Sequence, residues 1–106
     1  KFQEEFFSNQ RGLLDHFSRM WQIVASYMSI NKIIGYDILN EPIGANAYKN
    51  VADVIQPGVS NNKFLLGAYK KIYQSIRSID QKTLIFFEPS ILDFLSEGFF
   101  ETPGGE

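Results

Sequence analysis

The sequence predicts an α/β fold, and within it one slice of a larger barrel. Two short apolar runs, 33–39 and 83–87, are rich in β-branched and aromatic residues, and each leads into a Glu-Pro pair, Glu41-Pro42 and Glu88-Pro89. Runs of that length, ended by a proline with no room for a helix before it, read as strands packed on both faces. The stretches before and between them carry apolar residues at intervals of three and four, the spacing of amphipathic helices. Strand, helix, strand in that order is a βαβ unit, whose parallel strands almost always cross over right-handedly. Two strands buried on both faces do not complete a sheet. Each needs neighbours that 106 residues do not supply.

Each element follows from local pattern. Residues 1–8 hold Phe2, Phe6 and Phe7 without a clear period and read as a loop or frayed turn. From about Asn9 the spacing is helical: Leu13, Leu14, Phe17, Met20, Trp21, Val24, Ala25, Tyr27 and Met28 form the apolar set, with Ser8 or Asn9 as N-cap. The period fails at Ser29-Ile30-Asn31, and the first strand begins just beyond. Pro42 ends it, donates no ladder hydrogen bond, and is expected to hold Glu41 in the extended region. A loop of about twenty residues follows, 43–61, broken by Pro57-Gly58. A connection that long within a compact domain is functional or disordered, and its origin at the carboxyl end of a strand favours a ligand-facing loop.

A second helix is expected from about Asn62, with Leu65, Leu66, Tyr69, Ile72, Tyr73, Ile76 and Ile79 on one side. Lys70 and Lys71 lie opposite, on a solvated face. Asp80-Gln81-Lys82 makes the turn into the second strand. Residues 90–95 fit a short helix, and 98–106 a Pro/Gly-rich loop. His16 reads as a surface residue; Trp21, Tyr69 and Tyr73 fall at core spacing and read as packing.

Composition narrows the function classes. Hydrophobic residues make up 44% and charged residues 21%, the balance of a globular chain, and no apolar run is long enough to span a bilayer. The net charge of −2 offers no basic surface, which argues against a nucleic-acid partner. Without cysteine there is no disulfide, thiol nucleophile or thiolate metal site, and a single histidine builds no multi-histidine centre. No signal-peptide pattern opens the chain. Lys1-Phe2-Gln3 also begins without an initiator methionine, so the expectation is that the true N-terminus lies upstream.

Chemistry concentrates at the end of the first strand. Ligand crevices in parallel α/β folds form outside the carboxyl ends of strands, where Asn40 and Glu41 fall. Asp37 shares strand parity with Glu41 and is read as structural, in need of a partner if buried. A polar pair at a strand end is, taken alone, explained equally well by solvation.

Further matches shift that balance. Ile33-Ile34-Gly35-Tyr36-Asp37-Ile38-Leu39-Asn40-Glu41-Pro42 resembles strand four of glycoside hydrolase family 5, the cellulase-like (β/α)8 TIM barrels. Gln56-Pro57-Gly58, Ile76-Arg77-Ser78-Ile79-Asp80, Ile85-Phe86-Phe87-Glu88-Pro89 and the tail Gly98-Phe99-Phe100-Glu101-Thr102-Pro103-Gly104-Gly105-Glu106 are similar to its endoglycoceramidase-like branch. The resemblance implies that residues 1–106 are a partial catalytic domain: about helix three, strand four, helix four, strand five and the following loop. It implies a retaining O-glycosyl hydrolase of β-glucosidic bonds in a glycolipid or glucan, with Glu41 as general acid/base and Asn40 on the sugar 2-hydroxyl. Glu88 lines the crevice as a substrate-binding residue. The nucleophile would come from strand seven, beyond Glu106. No metal or organic cofactor is implied, and the compartment would be secreted or lumenal. Ile43 stands where relatives often carry a tryptophan. The reading from another class is a non-catalytic barrel fragment that binds carbohydrate or only packs against a partner.

Overall fold

The computed structural model describes residues 2–30, 32–46, 48–91, 93 and 98–105. Its centre is a two-stranded parallel sheet with helices packed on one face. β1 (Gly35–Asp37) pairs with β2 (Leu84–Phe86), setting Gly35 opposite Leu84, Tyr36 opposite Ile85 and Asp37 opposite Phe86. The ladder is shorter than the two apolar runs, and only one of its faces is covered. Tyr36 and Ile38 are buried against the helices, whereas Leu84 and Phe86 of β2, on the other face, are 59% and 46% exposed. The second burial expected for each strand is therefore not supplied among the described residues.

The chain enters through α1 (Phe2–Phe7), a 3-10 turn (Gln10–Gly12) and α2 (Leu13–Met28). The sequence suggested a loop over 1–8, because six residues are too few to show a period. Packing decides otherwise. Phe6 stacks on Phe2 one turn away, with ring centroids 6.3 Å apart, and meets Phe17 of α2 edge-on at 5.3 Å. Glu4 and Glu5 lie in the first turn, where the helix dipole favours acids. Asn9, Arg11 and Gly12 all have left-handed backbone and turn α1 into α2. The N-cap of α2 is Gly12, not Ser8 or Asn9 as expected, although Asn9 Oδ1 accepts the first-turn Asp15 N–H at 3.1 Å across that turn. Along α2, Leu14 and Ala25 are buried, with Phe17, Trp21 and Val24 packed against the core. Met20, Tyr27 and Met28 belonged to the expected apolar set and are exposed. His16 is exposed as expected.

The loop over 43–61 is partly ordered by its own polar residues and carries α3 (Ala52–Ile55). Asn46 and Asn50 accept the amides of Tyr48 and Ala52, two positions on. The following helix begins with a π-helical turn (Asn61–Leu65) and continues as α4 (Leu66–Arg77). Leu65, Tyr69, Ile72 and Ile76 are completely buried, and each large aliphatic among them contributes about 1.5–3 kcal/mol to folding. Tyr73 is half-buried under the Arg77 guanidinium, 5.1 Å from its ring, and Ile79 lies past the helix and is exposed. Lys70 and Lys71, expected on a solvated face, instead form ion pairs with Glu101 and Asp15. α4 packs against α2, with Gln22 Nε2 donating to Ser78 Oγ at 3.0 Å.

The turn into β2 is built around Asp80. Its carboxylate accepts the amides of Lys82 and Thr83 at 3.0 and 3.1 Å, the Thr83 hydroxyl, and the Tyr36 phenol of β1 at 2.8 Å. Arg77 Nη1 donates to the carbonyls of Asp80 and Thr83 from below. Of the helix expected over 90–95, residues 92, 94 and 95 lie outside those described; Asp93 N–H donates to the Ser90 carbonyl at 3.1 Å, a single turn. Among the described residues no helix is long and apolar enough to cross a membrane.

Candidate active site

Beyond the paired strands the two chains stay side by side. Ile91 N–H donates to the Pro42 carbonyl at 3.2 Å, and the Glu41 N–H donates to Glu88 Oε2 at 2.6 Å. Two of the residues singled out from sequence, Glu41 and Glu88, are thus joined directly. The link runs from the backbone of one to the side chain of the other.

Glu41 does not take the extended backbone expected before a proline. Its φ is 45°, in the left-handed region. For a residue with a Cβ that conformation costs roughly 1–2 kcal/mol and persists only where surrounding contacts hold it. In this conformation the Glu41 amide has the Glu88 carboxylate as its acceptor. The β1 ladder also ends at Asp37. The alternation that gave Asp37 and Glu41 a common face therefore stops short of Glu41.

Asn40 and Glu41 are exposed, and Glu88 is half-buried. Asn40 borders an apolar cavity of about 260 Å³ walled by Phe2, Phe6, Phe17, Leu39 and Ile43, a lining that does not include Glu88. Phe99, Phe100 and Pro103 help to line a cleft of about 580 Å³ over β2 and Pro89.

Asp37 retains contact with solvent, yet its pKa is raised: loss of hydration along the strand pair comes first, then the Glu88 charge and a hydrogen bond between the two carboxyl groups. Asp37 was expected to need a partner only if buried; it is exposed, and no cation pairs with it among the described residues. Glu88 is held from below, its carbonyl accepting the Tyr69 phenol at 2.8 Å. Burial pushes the Tyr69 phenol well up, with the Glu88 and Asp37 charges adding to it, so it remains a donor across the physiological range. Tyr69 packs edge-on against Phe87 and Phe99 at 5.2 and 5.6 Å. Core packing, expected for Tyr69 and Trp21, is what both do; Trp21 meets Phe17 and Tyr36 edge-on.

Sequence reasoning missed Asn61. Buried in the π-helical turn, it accepts the Ser90 amide at 2.6 Å through Oδ1 and donates to Asp93 and to the Gly98 carbonyl through Nδ2. Asp93 also accepts the Gly58 amide. This network fastens the segment after Glu88 to the start of α4. A polar residue opening an apolar helix is the only trace of it in the sequence. Among the described residues no three His, Cys, Asp or Glu side chains come together as a metal site.

The arrangement places a solvent-accessible carboxyl group, Glu41, on a turn at the carboxyl end of a parallel strand. A carboxyl group so placed can deliver a proton to a bound oxygen and take it back. Residues 2–92 match the family model described as cellulase, glycosyl hydrolase family 5. The chain is 35% identical to an endoglycoceramidase of Cyanea nozakii and 34% identical to one of Hydra vulgaris, each over 97% of the chain. It spans only 20% of the length of each of these relatives. Solved structures of endo-glycoceramidase II from Rhodococcus sp. superpose with a TM-score of 0.63 over 81% of the chain. They include a lactosyl-enzyme intermediate at 25% identity and a ganglioside GM3 complex at 26%, of which the chain covers 19% and 18%. With the match running through both strands and the helix between them, the chain belongs to glycosyl hydrolase family 5, the cellulase family.

Proposed function

We propose that this chain is the acid/base segment of a retaining O-glycosidase that cleaves a β-glucosidic bond in a glycolipid. Its elements would be the third helix, fourth strand, fourth helix and fifth strand of a (β/α)8 barrel, with the loop that follows. The observation that carries the reading is Asn40-Glu41-Pro42 just beyond the end of β1, parallel to β2, with Glu41 exposed on a left-handed turn. Glycosidic oxygen leaves poorly as an alkoxide, so a carboxylic acid must protonate it as the bond breaks, and Glu41 supplies that proton. A second carboxylate, about 5 Å away in retaining enzymes, attacks the anomeric carbon; it would come from a part of the barrel beyond Glu106. Glu41, now ionised, then takes a proton from the water that releases the sugar. Asn40 donates to the 2-hydroxyl of the reacting sugar, and Glu88 lines the crevice rim beside Glu41.

The names of the relatives favour a glycolipid over a glucan, since the Rhodococcus enzyme was captured with ganglioside GM3 and as a lactosyl-enzyme intermediate. The exposed apolar face of Leu84 and Phe86 supports a second reading, in which the chain by itself is a non-catalytic fragment that packs against a partner. A barrel completed with the remaining segments of the Hydra relative separates the two. It should release intact glycan from a ganglioside. Glu41→Ala should abolish release, and azide should restore turnover of an activated aryl glycoside with a β-glycosyl azide as product. A completed, folded barrel that leaves the ganglioside untouched, or an α-azide product, would overturn the proposal.

A further inference from the structure

We propose that Glu88 is the positioning residue of Glu41: its carboxylate, by accepting the Glu41 backbone N–H, sets the left-handed turn from which the Glu41 side chain projects. The inference rests on the acid/base reading of Glu41 and adds the group that aims it.

A left-handed φ on a residue other than glycine needs contacts on both sides. Before Glu41, the β1 ladder holds the chain only as far as Asp37. After it, Pro42 has its own φ fixed by its ring, and its carbonyl is held by the Ile91 amide at 3.2 Å. At Glu41 itself the hydrogen bond from its amide goes to Glu88 Oε2, at 2.6 Å. An amide donating to a carboxylate makes a charge-assisted bond, roughly twice as strong as a neutral one. It is the contact able to select this φ over the extended alternative that proline favours.

Glu88 is itself well anchored. Its carbonyl takes the phenol of the fully buried Tyr69, and its carboxyl group meets Asp37 on the facing strand. The clamp is therefore built on the core, while Glu41 rides on the turn. If the turn relaxed to a negative φ, the Cα–Cβ direction of Glu41 would swing and carry the acid away from the glycosidic oxygen. Misplacement of a catalytic group by about 1 Å is enough for a loss near 10²-fold.

The test uses the completed barrel with Glu88→Ala and Glu88→Gln. Glutamine keeps both functions, because Oε1 accepts the Glu41 amide while Nε2 donates to Asp37. In Glu88→Ala, kcat/KM should fall about 10²-fold for a glycoside with a poor leaving group and less than tenfold for the dinitrophenyl glycoside. Glu88→Gln should recover most of the loss that Glu88→Ala shows on the poor leaving group, because an acceptor for the Glu41 amide is restored. A crystal structure of Glu88→Ala should show Glu41 with a negative φ. Equal losses on both substrates would assign Glu88 a structural or sugar-binding role. A retained left-handed φ in Glu88→Ala would overturn the proposal directly. If Glu41→Gln itself shows no dependence on the leaving group, the acid/base reading fails, and the φ of Glu41 in the variant still decides whether Glu88 sets the turn.

Discussion

The carboxylate of Glu88, just past β2, accepts the backbone N–H of Glu41, just past β1, at 2.6 Å. Sequence separates the two by a long loop and a helix; the parallel register brings them together, because Gly35 pairs with Leu84 and both chains run on in the same direction. The loop and α4 thus return the chain to the point it left, with a second Glu-Pro beside the first.

That register depends on a glycine. A Cβ at Gly35 would lie 2.8 Å from the Leu84 carbonyl and 2.5 Å from the Phe86 ring. The ring can swing aside; the carbonyl belongs to the ladder and cannot. Gly35→Ala should therefore destabilise the completed barrel by about 1–3 kcal/mol, as overpacking does. Urea unfolding, with a lowered midpoint and unchanged slope, measures it. A midpoint equal to that of the parent would show that the strands part without cost.

Asp80 should govern acid stability. Its pKa is held well below the usual carboxylate range, first by the Thr83 hydroxyl, then by the Lys82 and Thr83 amides, with the Tyr36 phenol adding to them against the cost of burial. A folded-state pKa below the unfolded one gives stability that is complete above the unfolded pKa, near 3.8, and lost as pH falls from there toward the folded value. Asp80→Ala should cost about 2–4 kcal/mol at neutral pH by leaving Tyr36 and the turn amides without an acceptor. It should also flatten the decline of stability below pH about 4. Denaturant curves from pH 2.5 to 7 test both; an unchanged acid limb would assign the effect to another carboxylate.

Both strands, both long helices and the place of Glu41 were legible because each rests on local rules: period, β-branching and proline. Asn40-Glu41-Pro42 marked the strand end without any knowledge of its surroundings. Other features depend on residues far apart in sequence. α1 forms because Phe6 meets Phe17, and Glu41 turns left-handed because Glu88 lies beside its amide. Local preference before Pro42 pointed to extended backbone, and a hydrogen bond from the neighbouring strand outweighed it. Whether Asp37 would be buried could not be read before the register was known; it lies on the uncovered face and is exposed.

The 106-residue chain alone should self-associate and show no glycosidase turnover. Leu84 and Phe86 present apolar surface on an uncovered sheet face, and exposed apolar surface and strand edges of this kind recruit other strands. Sedimentation velocity should give species larger than the monomer, reduced by Leu84→Ser combined with Phe86→Ser. Incubation with an aryl β-glucoside should give no more product than the Glu41→Gln control. Turnover that disappears in that control would mean that the chain, or its oligomer, assembles a complete site.

The acid/base role of Glu41 is tested most directly by the leaving-group dependence of Glu41→Gln in the completed barrel. Removing a general acid typically costs about 10²–10⁴-fold, and the cost falls on substrates that need a proton to depart. kcat/KM for a natural glycolipid, or for an alkyl glycoside of high leaving-group pKa, should drop by that factor. The dinitrophenyl glycoside, whose phenolate leaves unaided, should lose far less. An equal loss on both substrates would contradict the account, leaving Glu41 as a residue that binds or orders the sugar without delivering its proton.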